Sequence, residues 1–282
     1  MIEVSHLSYR YGRKRPAVFE NVSFSLEPGR IYGLLGKNGT GKSTLLYLLS
    51  GLLFPQEGSV KYHGLEMRER RPEALGDLYL LPETFRLPNM SLKNYVRLHA
   101  PFYPNYSEQL MHSSLEEFDL TPDVHLGQLS MGQQKKAYLS FALATNTSLL
   151  LMDEPSNGLD IPSKSQFRRA VARAMTDERT VVISTHQVGD VEALIDRVMI
   201  IGNTRLLLDR RAEDITQRLA FRMVRPDETA TPIYSQHTLG GEAGIFTRQA
   251  GEDETKLNLE LLFNATLTAG ERMEQVFTNL EK

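Results

Sequence analysis

Gly36-Lys37-Asn38-Gly39-Thr40-Gly41-Lys42-Ser43-Thr44 lies between a buried-strand pattern, Arg30-Ile31-Tyr32-Gly33-Leu34-Leu35, and a leucine-rich helical pattern from Ser43 to Leu53. The spacing matches a phosphate-binding loop with every fixed position filled. Gly36, Gly39 and Gly41 let the backbone turn tightly enough for successive N–H groups to converge on the β- and γ-phosphates of a nucleotide. Lys42 adds a point charge, and the Ser43 hydroxyl suits Mg²⁺. The helix that follows aims its positive end at the anion. Asn38, Thr40 and Thr44 complete the set of candidate nucleotide contacts. A chance glycine-rich turn is the alternative; strand, loop and helix falling in register decides for a nucleoside triphosphate site.

The rest of the composition narrows the class. With 282 residues and 41% hydrophobic content, the chain can bury a sizeable core in one or two domains. A net charge of −3 gives no reason to expect nucleic-acid binding. The chain has no cysteine, which excludes disulfides, thiol catalysis and cysteine-ligated metals. The start, Met1 to His6, lacks the basic and apolar regions of a secretory signal. No apolar run approaches the roughly 18 residues needed to span a bilayer, so a membrane role is expected to come through a partner.

Strand patterns occupy Ile2 to Tyr9, Val22 to Leu26, Ile31 to Leu35, Ser59 to Tyr62 and Leu78 to Leu81. From Ser91 to about Ala144 the pattern turns helical. Ser148 to Asp153 then reads as a central strand, apolar on both faces. A helix over Ser163 to Met175, a strand over Thr180 to Ser184, a short helix over Val188 to Leu194 and strands over Arg197 to Ile201 and Thr204 to Leu208 complete an α/β core with a helical insertion. Past Arg210 to Gln217 the composition shifts. Pro226, Pro232, Gly240-Gly241 and Gly244 mark turns, and Leu257, Leu259 and Leu261 alternate with polar residues as in a half-buried strand. Thr268 to Glu271 has capping-box spacing, and Met273, Val276, Phe277 and Leu280 share one helical face.

Two further motifs carry chemistry. Leu151-Met152-Asp153-Glu154-Pro155 ends an apolar strand in adjacent carboxylates. Asp153 can hold Mg²⁺, directly or through water, and Glu154 can reach the water that attacks a γ-phosphate. Leu129-Ser130-Met131-Gly132-Gln133 has capping-box spacing between Ser130 and Gln133, so it opens a helix and offers free N–H groups and a hydroxyl to an anion.

With these motifs in order, followed by Ser156-Asn157-Gly158-Leu159-Asp160 and Ser184-Thr185-His186, the chain resembles the ATP-binding-cassette ATPases over residues 1 to about 210. The resemblance implies a phosphate-loop NTPase core at 1–215, a helical subdomain at about 84–147 and a small α+β appendage at 216–282. It implies that Tyr11 stacks on adenine, with Tyr9 the alternative, that Asp160 couples two subunits, and that His186 contacts the γ-phosphate. Glu154, His186 and Lys42 are then the catalytic candidates, and Ser130, Gly132 and Gln133 face the partner subunit's nucleotide. The resemblance further implies a homodimer or heterodimer on the cytoplasmic face of a membrane, driving a separate permease that docks on the helical insertion. Two positions depart from the family pattern. Met131-Gly132 replaces Gly-Gly in the signature, and Glu83 replaces the usual glutamine after Leu78-Tyr79-Leu80-Leu81-Pro82. Glu83 can still bind Mg²⁺ or water, and with Asn157-Gly158-Leu159-Asp160 it looks most like the ABC-2 type subunits, many of them exporters.

Non-transport cassettes are the rival class. Chromosome-type members place a long coiled coil between the two nucleotide motifs, yet Lys42 and Asp153 are only 111 positions apart here. Translation-type members carry two cassettes in one chain, and this chain has one. A regulatory module that holds ATP without hydrolysing it does not need both Glu154 and His186.

Overall fold

The structure is a computed structural model and describes residues 2–225, 230–249 and 251–278. In chain order the elements are β1 (Ile2–Tyr9), β2 (Phe19–Leu26), β3 (Ile31–Leu35), α1 (Lys42–Leu49), β4 (Glu57–Tyr62), β5 (Leu65–Glu66), α2 (Pro72–Gly76) and β6 (Leu78–Leu81). The helical insertion follows as α3 (Leu92–His99), α4 (Glu108–Glu117) and α5 (Met131–Ala144), before the chain returns through β7 (Leu149–Asp153), α6 (Ile161–Arg173), β8 (Thr180–Thr185), β9 (Arg197–Gly202) and β10 (Arg205–Arg211). The appendage comprises α7 (Ala212–Arg218), β11 (Leu219–Met223), β12 (Tyr234–Thr238), β13 (Gly241–Thr247), α8 (Leu259–Thr268) and α9 (Gly270–Thr278).

Six strands form the central sheet in the order β10-β9-β3-β8-β7-β6, parallel except for β10. Every residue of β3, β7 and β8 is buried, as a sheet covered on both faces requires. Alternate residues divide between two cores, following the two-residue period of a strand. Leu35, Met152, Ile183 and Ile200 face the core shared with the helical insertion and the appendage. Leu34, Leu151, Val182 and Ile201 face the core filled by α1 and the antiparallel sheet β2-β1-β4-β5.

Three local readings of the sequence are corrected. Leu259 and Leu261 belong to a helix, α8, capped by Asn258, whose side chain accepts from the Leu261 N–H at 2.9 Å. Val188 to Leu194 forms only a short 3₁₀ turn over Val188–Asp190, with Asp190 drawn to Lys164 at 2.7 Å. The helix after the phosphate loop stops at Leu49, because Gly51 adopts a left-handed φ of 67°. The tail's strands lie upstream of α8, in the order β11-β13-β12. Pro226 and Leu280 lie outside the described residues.

Candidate active site

Strand register puts the chemical groups at one edge. Leu34 pairs with Ser184, which pairs with Asp153, so the phosphate loop, Glu154 and His186 leave the C-terminal ends of β3, β7 and β8 at one level. Open parallel sheets place ligands at such an edge. A cleft of about 700 Å³ opens there, lined by Asn38, Gly39, Lys42, Ser43 and Thr44 on one side and by Glu83, Glu154, Asn157 and His186 on the other, with Tyr11 at its mouth.

The loop is held by local geometry. Gly41 caps α1 with φ 103°, and a β-carbon there would meet Val18 and Phe19. At Gly36 a β-carbon would run into the Thr40 hydroxyl, which donates to Lys37 O at 2.8 Å. No side chain caps α1, so its first N–H groups stay available to an anion. Lys42 is buried, and its ammonium donates to Gly36 O at 2.9 Å and sits 3.7 Å from the Glu154 carboxylate.

Glu154 takes a left-handed φ of 46°, uncommon for a residue with a β-carbon. Its N–H donates to Ser184 O at 3.0 Å. Oε2 accepts from the Thr185 hydroxyl at 3.1 Å, and Oε1 lies 2.8 Å from His186 Nδ1. A buried carboxylate so aimed, beside an imidazole and a lysine, can take a proton from water while His186 steadies the charge. Asp153 is also buried; one of its oxygens accepts the Ser184 hydroxyl proton.

The cleft brings together Tyr11, Asn38, Gly39, Gly41, Lys42, Ser43, Thr44, Glu83, Glu154 and His186. Tyr11 is 60% exposed with its hydroxyl 2.8 Å from Thr44 Oγ1, whereas Tyr9 is buried in the core. Asp153, Gly36 and Thr40 are not among the residues lining the cleft. Glu83 Oε1 accepts from Asn157 Nδ2 at 3.1 Å on the rim.

Ser130, Gly132, Gln133 and Asp160 do not line this cleft. Ser130 caps α5 with a capping box: its N–H donates to Gln133 Oε1 at 3.0 Å, and its Oγ accepts from the Gln133 N–H at 3.3 Å. The Ser130 hydroxyl proton is not used by that box. Asp160 caps α6, accepting from the Ser163 N–H at 2.9 Å, and the hydrogen bonds from Ser163 hold its carboxyl below the usual value. The reading of single motifs missed Lys135, whose ammonium donates to Glu154 O at 2.8 Å and Asn157 O at 2.7 Å. Its signal was present: Lys135 shares a helical stripe with Leu139 and Ala142, where a charge is out of place.

The sheet order, the glycine loop and the carboxylate edge define a phosphate-loop nucleoside triphosphatase. The ABC transporter family profile matches residues 19–157. The zinc uptake system ATP-binding protein ZurA of Listeria innocua is 29% identical over 236 residues, covering 79% of this chain and 90% of that protein. Nod factor export ATP-binding protein I of Rhizobium etli is 29% identical over 77% of this chain and 70% of its own length. A solved ATP-binding subunit of an ABC transporter matches with a TM-score of 0.69 at 26% identity, over 77% of this chain and 92% of that one. The match over residues 19–157 and the similarity to these ATP-binding subunits identify an ABC-type, ATP-hydrolysing domain in this chain.

Proposed function

We propose that residues 1–215 form a cassette in which Glu154 is the general base for attack of water on the γ-phosphate of ATP, with energy passed to a separate membrane permease that exports its cargo. The observation carrying this reading is the Glu154 carboxylate, buried beside Lys42 and bonded to Thr185 and His186 at the edge of the phosphate-loop cleft. Lys42 and the loop N–H groups hold the β- and γ-phosphates, Tyr11 offers a face to the adenine, and His186 orients the carboxylate or contacts the γ-phosphate. Ser43, Asp153 and Glu83 present the hard oxygen donors that Mg²⁺ favours, and the free oxygen of Asp153 fits that use. Mg²⁺, when bound, neutralises charge on the phosphates.

Two subunits facing each other would complete each site, because Ser130, Gly132, Gln133 and Asp160 lie away from the cleft of their own chain. This pairing explains why an exposed capping box with a spare hydroxyl stands on the surface. The partner is a second copy or a related cassette. Among the described residues no helix is long and apolar enough to cross a membrane, so the reading places the chain on the cytoplasmic face through the permease. Export rests on Glu83 and on Asn157-Gly158-Leu159-Asp160, since relatives named for zinc uptake and for Nod factor export stand at the same identity.

The test is Glu154→Gln. The isosteric amide keeps ATP binding and the shape of the site but cannot take the proton, so turnover falls by about a hundredfold or more. Hydrolysis at the wild-type rate would remove Glu154 from the role. Direction is read separately: loss of the gene leads to cargo accumulating inside cells, and depletion inside cells would reverse the assignment.

A further inference from the structure

Lys135 is 5% exposed, on the second turn of the helix whose first turn carries Ser130 and Gly132. Its ammonium is spent on two main-chain carbonyls, Glu154 O and Asn157 O, that bracket the turn leaving β7. Charged donors make hydrogen bonds roughly twice as strong as neutral ones. That turn holds a left-handed Glu154, and its far side is tied to Glu83 through Asn157 Nδ2. Burial lowers the Lys135 pKa, opposed by Glu83, Glu154 and Asp153.

A lysine kept in this position at the cost of burial fixes something that an apolar residue could not. The turn it grips carries the Glu154 carboxylate at one end and, one residue past Asn157, Gly158, whose carbonyl would lie 3.9 Å from a β-carbon at Gly132. The signature and the carboxylate are therefore joined through a single side chain.

We propose that Lys135 is a positioning residue that locks the Glu154–Asn157 turn to α5, so that displacement of Ser130 and Gly132 moves the carboxylate of the same subunit. The proposal rests on the reading of Glu154 as the base. In a paired assembly the signature would touch one nucleotide and Glu154 would serve the other. Lys135 then carries the state of one site to the other within one chain, with α5 as the rigid lever.

The experiment is steady-state ATP hydrolysis by the full chain. Lys135→Met keeps the aliphatic stem and removes both donors; kcat falls about tenfold or more while KM for ATP stays within about twofold, because the phosphate loop is untouched. Lys135→Arg, which can reach both carbonyls, recovers kcat to within about threefold. In a Glu154→Gln background, adding Lys135→Met causes no further loss, the non-additivity expected when one residue acts through the other. Wild-type kcat in folded Lys135→Met, or the same proportional loss in both backgrounds, overturns the proposal. If Lys135→Met does not fold, Lys135→Gln is read in the same way. Wild-type turnover in Glu154→Gln alone is a distinct result, which removes the base assignment and leaves the Lys135 contacts standing.

Discussion

Glu83 lines the cleft, and one of its oxygens, Oε1, accepts from Asn157 Nδ2. A carboxylate adds negative charge near the phosphates that an amide would not, and a divalent cation offsets it. Glu83→Ala removes the oxygen and is expected to raise the Mg²⁺ concentration for half-maximal hydrolysis by about tenfold, the scale on which groups around a metal tune its affinity. Glu83→Gln, which keeps an oxygen, shifts it far less. An unchanged Mg²⁺ titration in Glu83→Ala would make the residue an ordinary rim carboxylate. Glu83 and Glu154 could be located from sequence because each ends a short apolar strand. Lys135 shows in sequence only as a charge in an apolar helical stripe; its role depends on two carbonyls 19 and 22 positions away.

Two helices of the cassette end on one buried side chain. The Arg179 guanidinium donates to Leu143 O at 3.0 Å and Ala142 O at 3.4 Å near the end of α5, and to Ala174 O at 3.2 Å at the end of α6. It is 2% exposed and neutralises the negative ends of both helices. Arg179→Met leaves those carbonyls without the donor, and about 3 kcal/mol or more of stability should be lost in urea denaturation; a loss within experimental error would show that water replaces it. The core that β6 shares with the helical insertion supplies a second test. Burial raises the phenols of Tyr79, Tyr95, Tyr103 and Tyr138, and that of Tyr106 to about 12. With folded values above the unfolded value near 10, this contribution is whole below pH ~10 and is lost as pH rises towards the folded values. Denaturation midpoints should fall between pH 10 and 11.5; a flat profile would contradict the burial. The parallel strands were readable because a run apolar on both faces leaves few other structures. At the start of α8 the alternation of Leu257, Leu259 and Leu261 was misleading, since Leu257 precedes the helix; Leu262, following Leu261 directly, breaks a two-residue period and belongs to a helix.

At the scale of the whole chain, sequence left open whether the appendage covers its own cassette or a second copy. It covers its own: Leu259, Leu261, Leu262, Met273 and Phe277 join the core that holds Leu35, Met152 and Ile200. The Arg210 and Arg218 guanidiniums lie 5.5 and 5.7 Å from the Phe277 ring centre, and Arg218 donates to Phe277 O at 2.9 Å. Deletion after Arg211 should lower the melting temperature and expose dye-binding apolar surface; a truncated chain melting like the full one would show that the appendage is dispensable to the fold. What sequence periodicity could not reveal was which faces meet, since that depends on contacts far apart along the chain.

The order of the central sheet also governs how the protein is made. Among the described residues strand β3, buried throughout, pairs with β8 and β9. Ile31 meets Val181, about 150 positions later, so at ribosomal rates of about 5–20 residues per second β3 waits roughly 8 to 30 s for its neighbours. Meanwhile β1, β2 and β4 can form their antiparallel sheet from local contacts. The nascent chain carries the phosphate loop on an unpaired apolar strand for that interval, so slowed translation between residues 36 and 202 would favour aggregation, and a chaperone that shields apolar segments would act there.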